Sequence, residues 1–150
     1  MMYTISRQAV FFCFASFLIL LFYFNFFRIY QVRENSMEPA LFNGQKIVTV
    51  KNSPVHNGDI VVYENPEDHR LVVKRFLLSP GEPVVISNGI LMTQAGNVPL
   101  TARQIQLLSS YDSIPDDMFF ALGDNIYNSH DSRDYGPVTI ENIKGKVLLF

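Results

Sequence analysis

Residues 9–27 read AVFFCFASFLILLFYFNFF, nineteen positions without a charge, in which only Ser16 and Asn25 are clearly polar. As a helix rising about 1.5 Å per residue the run spans about 28 Å, close to the roughly 30 Å of a bilayer's hydrocarbon core. The competing reading is a cleaved secretory leader, because Arg7 precedes an apolar stretch near the N-terminus. Two features oppose it. The run exceeds the roughly 7–15 residues of a leader's apolar core, and the exit Phe27-Arg28-Ile29-Tyr30-Gln31 offers no small-x-small cleavage site. The stretch therefore predicts an uncleaved transmembrane anchor over residues 9–27, behind a short N-terminal segment, residues 1–8. Cys13 lies inside it with no base beside it, and reads as a small lipid-facing residue.

Outward from the anchor, the composition changes. The whole chain of 150 residues is 48% apolar and 17% charged, but eight of its 13 Phe fall between Phe11 and Phe27. The apolar excess is local, and the remaining residues, about 120, have the make-up of one small domain. A net charge of −2 argues against a nucleic-acid partner, which calls for a basic face. One cysteine excludes an intramolecular disulfide and a cysteine-based zinc site.

Short β-branched runs separated by turn residues fill residues 28–150. They are Lys46–Lys51, Asp59–Tyr63, Arg70–Leu78, Pro83–Ile86, Gly89–Met92, Met118–Leu122 and Lys146–Phe150. Asn88-Gly89 between two apolar runs predicts a tight hairpin. Thr101–Leu108 is the one stretch with the pattern of a short helix. The expected fold class is mainly β: one N-terminal transmembrane helix followed by a small, mostly antiparallel β domain.

Three places are out of character with their surroundings. Lys74 shares a strand face with Val72, Phe76 and Leu78, so its ammonium is either at a rim or desolvated. Desolvation would lower its pKa and make it a usable base near neutrality. Ser36 stands nine residues beyond the anchor in Asn35-Ser36-Met37-Glu38-Pro39, either a turn hydroxyl or a nucleophile. Residues 123–136, GDNIYNSHDSRDYG, form a polar stretch between apolar strands. Its carboxylates do not follow the calcium-loop spacing, so no metal is expected. His56 and His69 sit in turn-like segments. His130 beside Asp131 is the only candidate for a Ser-His-Asp arrangement, and adjacent residues seldom orient one another in that way.

Taken together, these segments resemble the type I signal peptidases, membrane-anchored serine proteases with a lysine base. An apolar anchor is followed by Ser36-Met37-Glu38-Pro39-Ala40-Leu41, like the family's nucleophile box. Gly58-Asp59-Ile60-Val61, Val73-Lys74-Arg75, Pro80-Gly81-Glu82 and Gly123-Asp124-Asn125 with Asn128-Ser129 and Asp131-Ser132-Arg133 follow in the family's order. The resemblance runs from the anchor to about residue 147. It implies a β-rich catalytic domain with Ser36 as nucleophile and Lys74 as general base. It implies further that Ser129 hydrogen-bonds the lysine amine, and that Asp124 and Arg133, with Asp131 and Ser132, hold the loop beside it. Arg75 is expected to serve structure. No cofactor is implied.

By the same resemblance, the substrates are preprotein signal peptides cut after small residues of the Ala-x-Ala type. The partners are those peptides and membrane lipid, and apolar surface around Ser36 and Met37 is expected to dip into the interface. Among side chains, Arg28 and Arg33 after the anchor outnumber Arg7 before it by one, a slight lean toward a cytoplasmic domain that the terminal amine offsets. The resemblance overrules this: it implies a single-pass protein of the plasma (inner) membrane with its catalytic domain on the periplasmic or extracytoplasmic side.

Two features depart from the family pattern. Glu34 occupies the position where many members place a serine or glycine that lines the oxyanion hole. A carboxylate there would oppose a developing negative charge, so it must point to solvent or be protonated, or the hole relies on the Ser36 N–H and Asn35. Only about 40 residues separate Gly81 from Gly123, so the larger accessory insertion of some members is missing. Two alternatives follow: a dedicated maturation peptidase for one export or pilus system, or an inert membrane-anchored binding protein. A self-cleaving repressor of related chemistry is disfavoured by the anchor and the lack of a DNA-binding helix pair.

Overall fold

The computed structural model describes residues 6–149. The first five residues of the expected N-terminal segment, and Phe150 of the last expected strand, lie outside that range. Helix α1 spans Arg7–Phe26, long and apolar enough to cross a membrane, and none of its residues is buried against the rest of the chain. Its polar members are satisfied within it. Ser16 Oγ donates to the Phe12 carbonyl and Asn25 Nδ2 to that of Leu21, both at 2.8 Å. A hydrogen-bonded polar group is tolerated in apolar surroundings where an orphaned one is not.

The helix runs over Arg7–Phe26, against the expected anchor of residues 9–27. Phe27 opens strand β1, Phe27–Gln31, which the sequence reading treated as an exit segment. Helix and strand share a continuous backbone, and β1 pairs antiparallel with β2, Lys46–Val50, starting at Phe27 against Val50. The Lys51 N–H donates to the Phe26 carbonyl at 2.8 Å, and Arg28 folds back onto the carbonyls of Phe24 and Phe27. The last helical carbonyls are thus covered by the first turn of the domain.

Beyond lie β3 (Ile60–Glu64), β4 (Leu71–Leu78), β5 (Val85–Ser87), β6 (Ile90–Thr93), β7 (Gly96–Pro99) and helix α2 (Ala102–Leu108). They are followed by β8 (Met118–Leu122), a one-turn helix α3 (Ser132–Tyr135), β9 (Val138–Thr139) and β10 (Ile143–Leu149). Seven strands form one antiparallel sheet in the order β1-β2-β10-β3-β4-β8-β9, and β5-β6-β7 form a second. The Asn88-Gly89 hairpin is present between β5 and β6, with φ of 50° and 77°. Two positive φ angles in succession are what a two-residue hairpin of this hand requires, and Asn-Gly accepts both cheaply. The short helix is also present, with a reciprocal cap between Thr101 and Gln104.

Strand β3 is buried along Ile60, Val61, Val62 and Tyr63, which explains a continuous apolar run rather than alternation. One core cluster joins Val32, Met37, Leu41, Ile47, Ile60, Val62, Val73 and Val147. Met37 is 0% exposed, so the expectation that it contributes to a lipid-facing surface is corrected: it anchors the segment after Ser36 in the core. A second cluster packs Leu77, Leu91, Leu108, Ile114 and Phe120 beneath the small sheet. A third holds Tyr63, Phe76, Phe119 and Val138 behind β4. In it the Phe76 and Phe119 rings stack at 5.0 Å.

Candidate active site

Ser36 lies in the connection between β1 and β2. Met37 and Leu41 plug into the first core cluster on one side of it. On the other, Asn125 takes hold of the backbone: its N–H donates to the Ser36 carbonyl at 3.0 Å and its Nδ2 to the Asn35 carbonyl at 3.1 Å. Lys74, from the middle of β4, comes to the same place. It is 4% exposed, and its Nζ lies 2.6 Å from Ser36 Oγ. The rim alternative for Lys74 is thereby removed. Burial holds the amine below the ordinary lysine value, with Arg133 adding to that effect and the Asp131 and Glu34 carboxylates opposing it. A buried amine on a serine hydroxyl is an arrangement that can accept the hydroxyl proton.

The 123–136 stretch packs around this pair. Gly123 is close enough that a Cβ there would lie 2.1 Å from Ser129 Oγ and 2.6 Å from the Ser36 carbonyl oxygen. Ser129 Oγ is buried and makes no hydrogen bond among the described residues. The bond to the lysine amine that the resemblance implied is not formed in this structure, where the amine is directed at Ser36. Asp124 and Arg133 do not pair with each other. Asp124 receives Arg75, the neighbour of Lys74 on β4, through Nε at 2.7 Å and also through Nη2. Arg75 reaches the Gly58 carbonyl as well, so it ties β4 to two loops, a structural role.

Asp131 and Arg133 form a fully buried pair, Nε to Oδ1 at 2.8 Å and Nη2 to Oδ2 at 2.9 Å. Asp131 also accepts from the Gly123 N–H at 3.0 Å, and Arg133 donates to the carbonyls of Ile126 and Ser129. Both oxygens of the carboxylate and the Nε and Nη2 groups of the guanidinium thus have partners, which is the condition for tolerating such buried ions. Ser132 Oγ accepts from the Ala121 N–H, pinning α3 to β8. His130 does not orient on Ser36; its ring nitrogens face Glu67 and Asp134.

A cavity of about 700 Å³ opens beside the pair, between β1 and β4. Val32, Ile47, Val62 and Val73 give it apolar walls; Arg33, Glu34, Asp68 and Arg70 stand around it. Glu34 is exposed, with φ of 70° and its N–H donated to Asn43 Oδ1 at 3.2 Å.

Residues 5–150 match the family described as "Signal peptidase, peptidase S26". The chain belongs to this family. Among its signal peptidase relatives, "Signal peptidase I" of Leptolyngbya laminosa is 31% identical over 134 residues, 79% of this chain and 65% of the relative. "Signal peptidase I V" of Bacillus subtilis strain 168 is 28% identical over 138 residues, 79% of this chain and 82% of that one. "Inactive signal peptidase IA" of Staphylococcus aureus strain Mu50 is 24% identical over 132 residues, 79% of this chain and 75% of the other. The chain thus spans about two thirds of the length of the cyanobacterial relative. A crystal structure of a signal peptidase I from Enterococcus faecalis V583 aligns with a TM-score of 0.49 and 23% identity over 64% of this chain and 97% of that one. The family assignment rests on the sequence matches.

The sequence reading missed the role of Asn125 and the cavity walls. Asn125 contacts a segment 90 residues away, which no local pattern encodes. Residues 29–34 line the cavity one after another with no alternation to mark them, and they directly continue the apolar run, so no local pattern set them apart.

Proposed function

We propose that the chain is a membrane-anchored serine endopeptidase that removes signal peptides from exported preproteins, with Ser36 as nucleophile and Lys74 as general base. The observation that carries this reading is the buried Lys74 amine 2.6 Å from Ser36 Oγ beside an apolar-walled cavity. The neutral amine takes the Ser36 hydroxyl proton as Oγ attacks the scissile carbonyl. The resulting ammonium returns that proton to the leaving amine, which departs as the mature N-terminus. Water, deprotonated by the same amine, then hydrolyses the ester on Ser36 and releases the signal peptide. The Ser36 backbone N–H has no acceptor among the described residues, so it is available as an oxyanion donor beside Asn35. Ser129, Asp124, Asp131 and Arg133 hold the loop that backs the lysine. Small residues at the −1 and −3 positions suit the apolar walls, and this reading has α1 anchor the domain on the extracytoplasmic face of the plasma membrane, where such sites emerge.

The second reading is a binding protein that does not cleave. Glu34 favours it, because its carboxylate lines the same cavity as Ser36, and one relative carries the name of an inactive peptidase. One experiment separates the two: cleavage of a preprotein with an Ala-x-Ala site by the detergent-solubilised full chain, beside Ser36→Ala and Lys74→Ala. Cutting at that site by the wild type alone is the expected result. Binding of the preprotein without cutting by the wild type would overturn the peptidase reading.

A further inference from the structure

Resting on the reading of Ser36 and Lys74 as the reacting pair, we propose that His130 is a positioning residue. As an imidazolium held between Glu67 and Asp134, it clasps the loop carrying Ser129 and Asp131 against the turn between β3 and β4. The geometry favours the cation. His130 Nε2 is hydrogen-bonded to Glu67 Oε2 at 2.5 Å, and Nδ1 lies 3.3 Å from Asp134 Oδ2 as a charge contact without hydrogen-bond alignment. A neutral imidazole with its N–H on Glu67 would turn the Nδ1 lone pair toward the Asp134 carboxylate; the protonated ring presents positive charge to both.

The clasp reaches well beyond one side chain. Glu67 belongs to the turn that leads into β4, the strand of Lys74. Asp134 accepts from the Asp131 N–H at 3.3 Å and from Gln104 Nε2 of α2 at 2.8 Å. The His130 ring packs edge-on against Tyr135, centroids 5.4 Å apart, and the Tyr135 hydroxyl meets that of Tyr63 on β3. Because His130 stands between Ser129 and Asp131 in the chain, fixing its ring fixes the backbone on both sides. The charged groups that face it are Glu67 and Asp68 from the turn, the latter tied to Arg70, with Asp134 from α3 and Asp131 from its own loop. The hydrogen bond to Glu67 holds the imidazole above the ordinary histidine value; partial burial opposes this, and Asp134 and Asp131 add to it.

The sign follows from that direction. A raised histidine holds its clasp fully below the ordinary histidine value and releases it as pH climbs through the raised one. Lys74 acts as the neutral amine and gains with pH. The two together give a rate that rises as Lys74 loses its proton and steps down by about two- to fivefold as His130 loses its own.

The test measures kcat and KM across pH for the full chain in detergent, as wild type, His130→Gln, His130→Arg and Glu67→Gln. His130→Gln is expected to lower kcat near neutral pH by about two- to fivefold, the range of a partly exposed ion pair, with KM unchanged and no downward step. His130→Arg, a permanent cation with donors for both carboxylates, restores kcat and extends the plateau to higher pH. Glu67→Gln moves the downward step to lower pH. Equal profiles for all four proteins, or an arginine variant no better than glutamine, overturn the proposal. An effect confined to KM also overturns it, because the ring would then be a substrate contact. Amide-exchange protection of residues 124–131 reads the clasp without activity. Wild type should exceed His130→Gln at low pH and converge with it at high pH, and equal protection throughout overturns the clasp. A wild type that fails to cleave while this protection difference is present would sink the peptidase reading and leave the clasp standing.

Discussion

Changing Gly123 to alanine adds one methyl group at the tightest point of the site. The new Cβ would lie 2.1 Å from Ser129 Oγ, 2.5 Å from Ser129 Cβ and 2.6 Å from the Ser36 carbonyl oxygen. Rotation about Cα–Cβ can move the Ser129 hydroxyl aside, but Ser129 Cβ and the Ser36 carbonyl are fixed to backbone. An ordinary carbon–oxygen contact is about 3.3 Å, so the Ser36 carbonyl has to retreat by about 0.7 Å. That motion pulls on the 3.0 Å bond from Asn125 and tilts Ser36 Oγ away from Lys74. Displacements of about 1 Å in a reacting group cost on the order of 100-fold, so kcat for preprotein cleavage should fall by roughly 30- to 100-fold. KM should change little, since the apolar cavity walls come from Val32 and from Ile47, Val62 and Val73 on β2, β3 and β4, away from Gly123. Overpacking of this kind also costs about 1–3 kcal/mol of stability, visible as a lowered Tm. The assay is steady-state cleavage of a fluorogenic peptide or preprotein, run beside Ser129→Gly and the Gly123→Ala/Ser129→Gly pair. Removing the Ser129 side chain relieves two of the three contacts and should recover Tm, while kcat stays at least about tenfold below that of Ser129→Gly alone, a displaced nucleophile being left in place. A Gly123→Ala enzyme with wild-type kcat would refute the argument that the Ser36 backbone is held by this contact.

Glu34 opposes the lowering of the Lys74 pKa, so Glu34→Gln removes a charge that favours the ammonium. The rising limb of kcat/KM against pH should move to lower pH, and an unchanged or upward-shifted limb would contradict the placement of that carboxylate. Lys74→Met replaces a desolvated amine with an apolar chain of similar length; it should abolish cleavage yet raise stability by about 1–3 kcal/mol in chemical unfolding. Asp131→Ala strands a buried guanidinium and should cost about 3–5 kcal/mol, with loss of cleavage, whereas a near-neutral unfolding midpoint would mean that Arg133 finds water.

The parts of the fold that were legible in the sequence are those with a local cause. Asn88-Gly89 announces its hairpin because few other dipeptides accept two positive φ angles, and Thr101 with Gln104 announces a helix start by reciprocal capping. Strand β7 escaped notice: Gly96-Asn97-Val98-Pro99 carries three weak strand formers and one buried side chain, Val98, and forms by pairing with β6. Its proline sits where a sheet edge tolerates a missing donor. Strand β10 begins three residues before the expected Lys146, and Gly145 within it allows a close pass beside Thr49. In the site, Lys74 and Ser36 stood out as residue types at odds with their neighbours. Asn125 and Gly123 did not, since what they do depends on segments joined only by folding.

The unbroken passage from α1 into β1 has a mechanical consequence. A tethered domain can swivel and sample many heights above a bilayer; a domain whose first strand is the extension of its helix cannot. With Phe26 held by Lys51 and Phe27 already registered on Val50, the cavity sits at a height and azimuth set by the helix itself. With α1 in a bilayer, as proposed above, the protein would behave as a bracket bolted to the membrane, offering its cavity only to chain segments that pass at one level. Inserting a single residue between Phe26 and Phe27 would do more than lengthen the bracket: it would either turn β1 over, sending Tyr30 to the face of Ile29, or rotate the whole domain about the helix axis by roughly 100°.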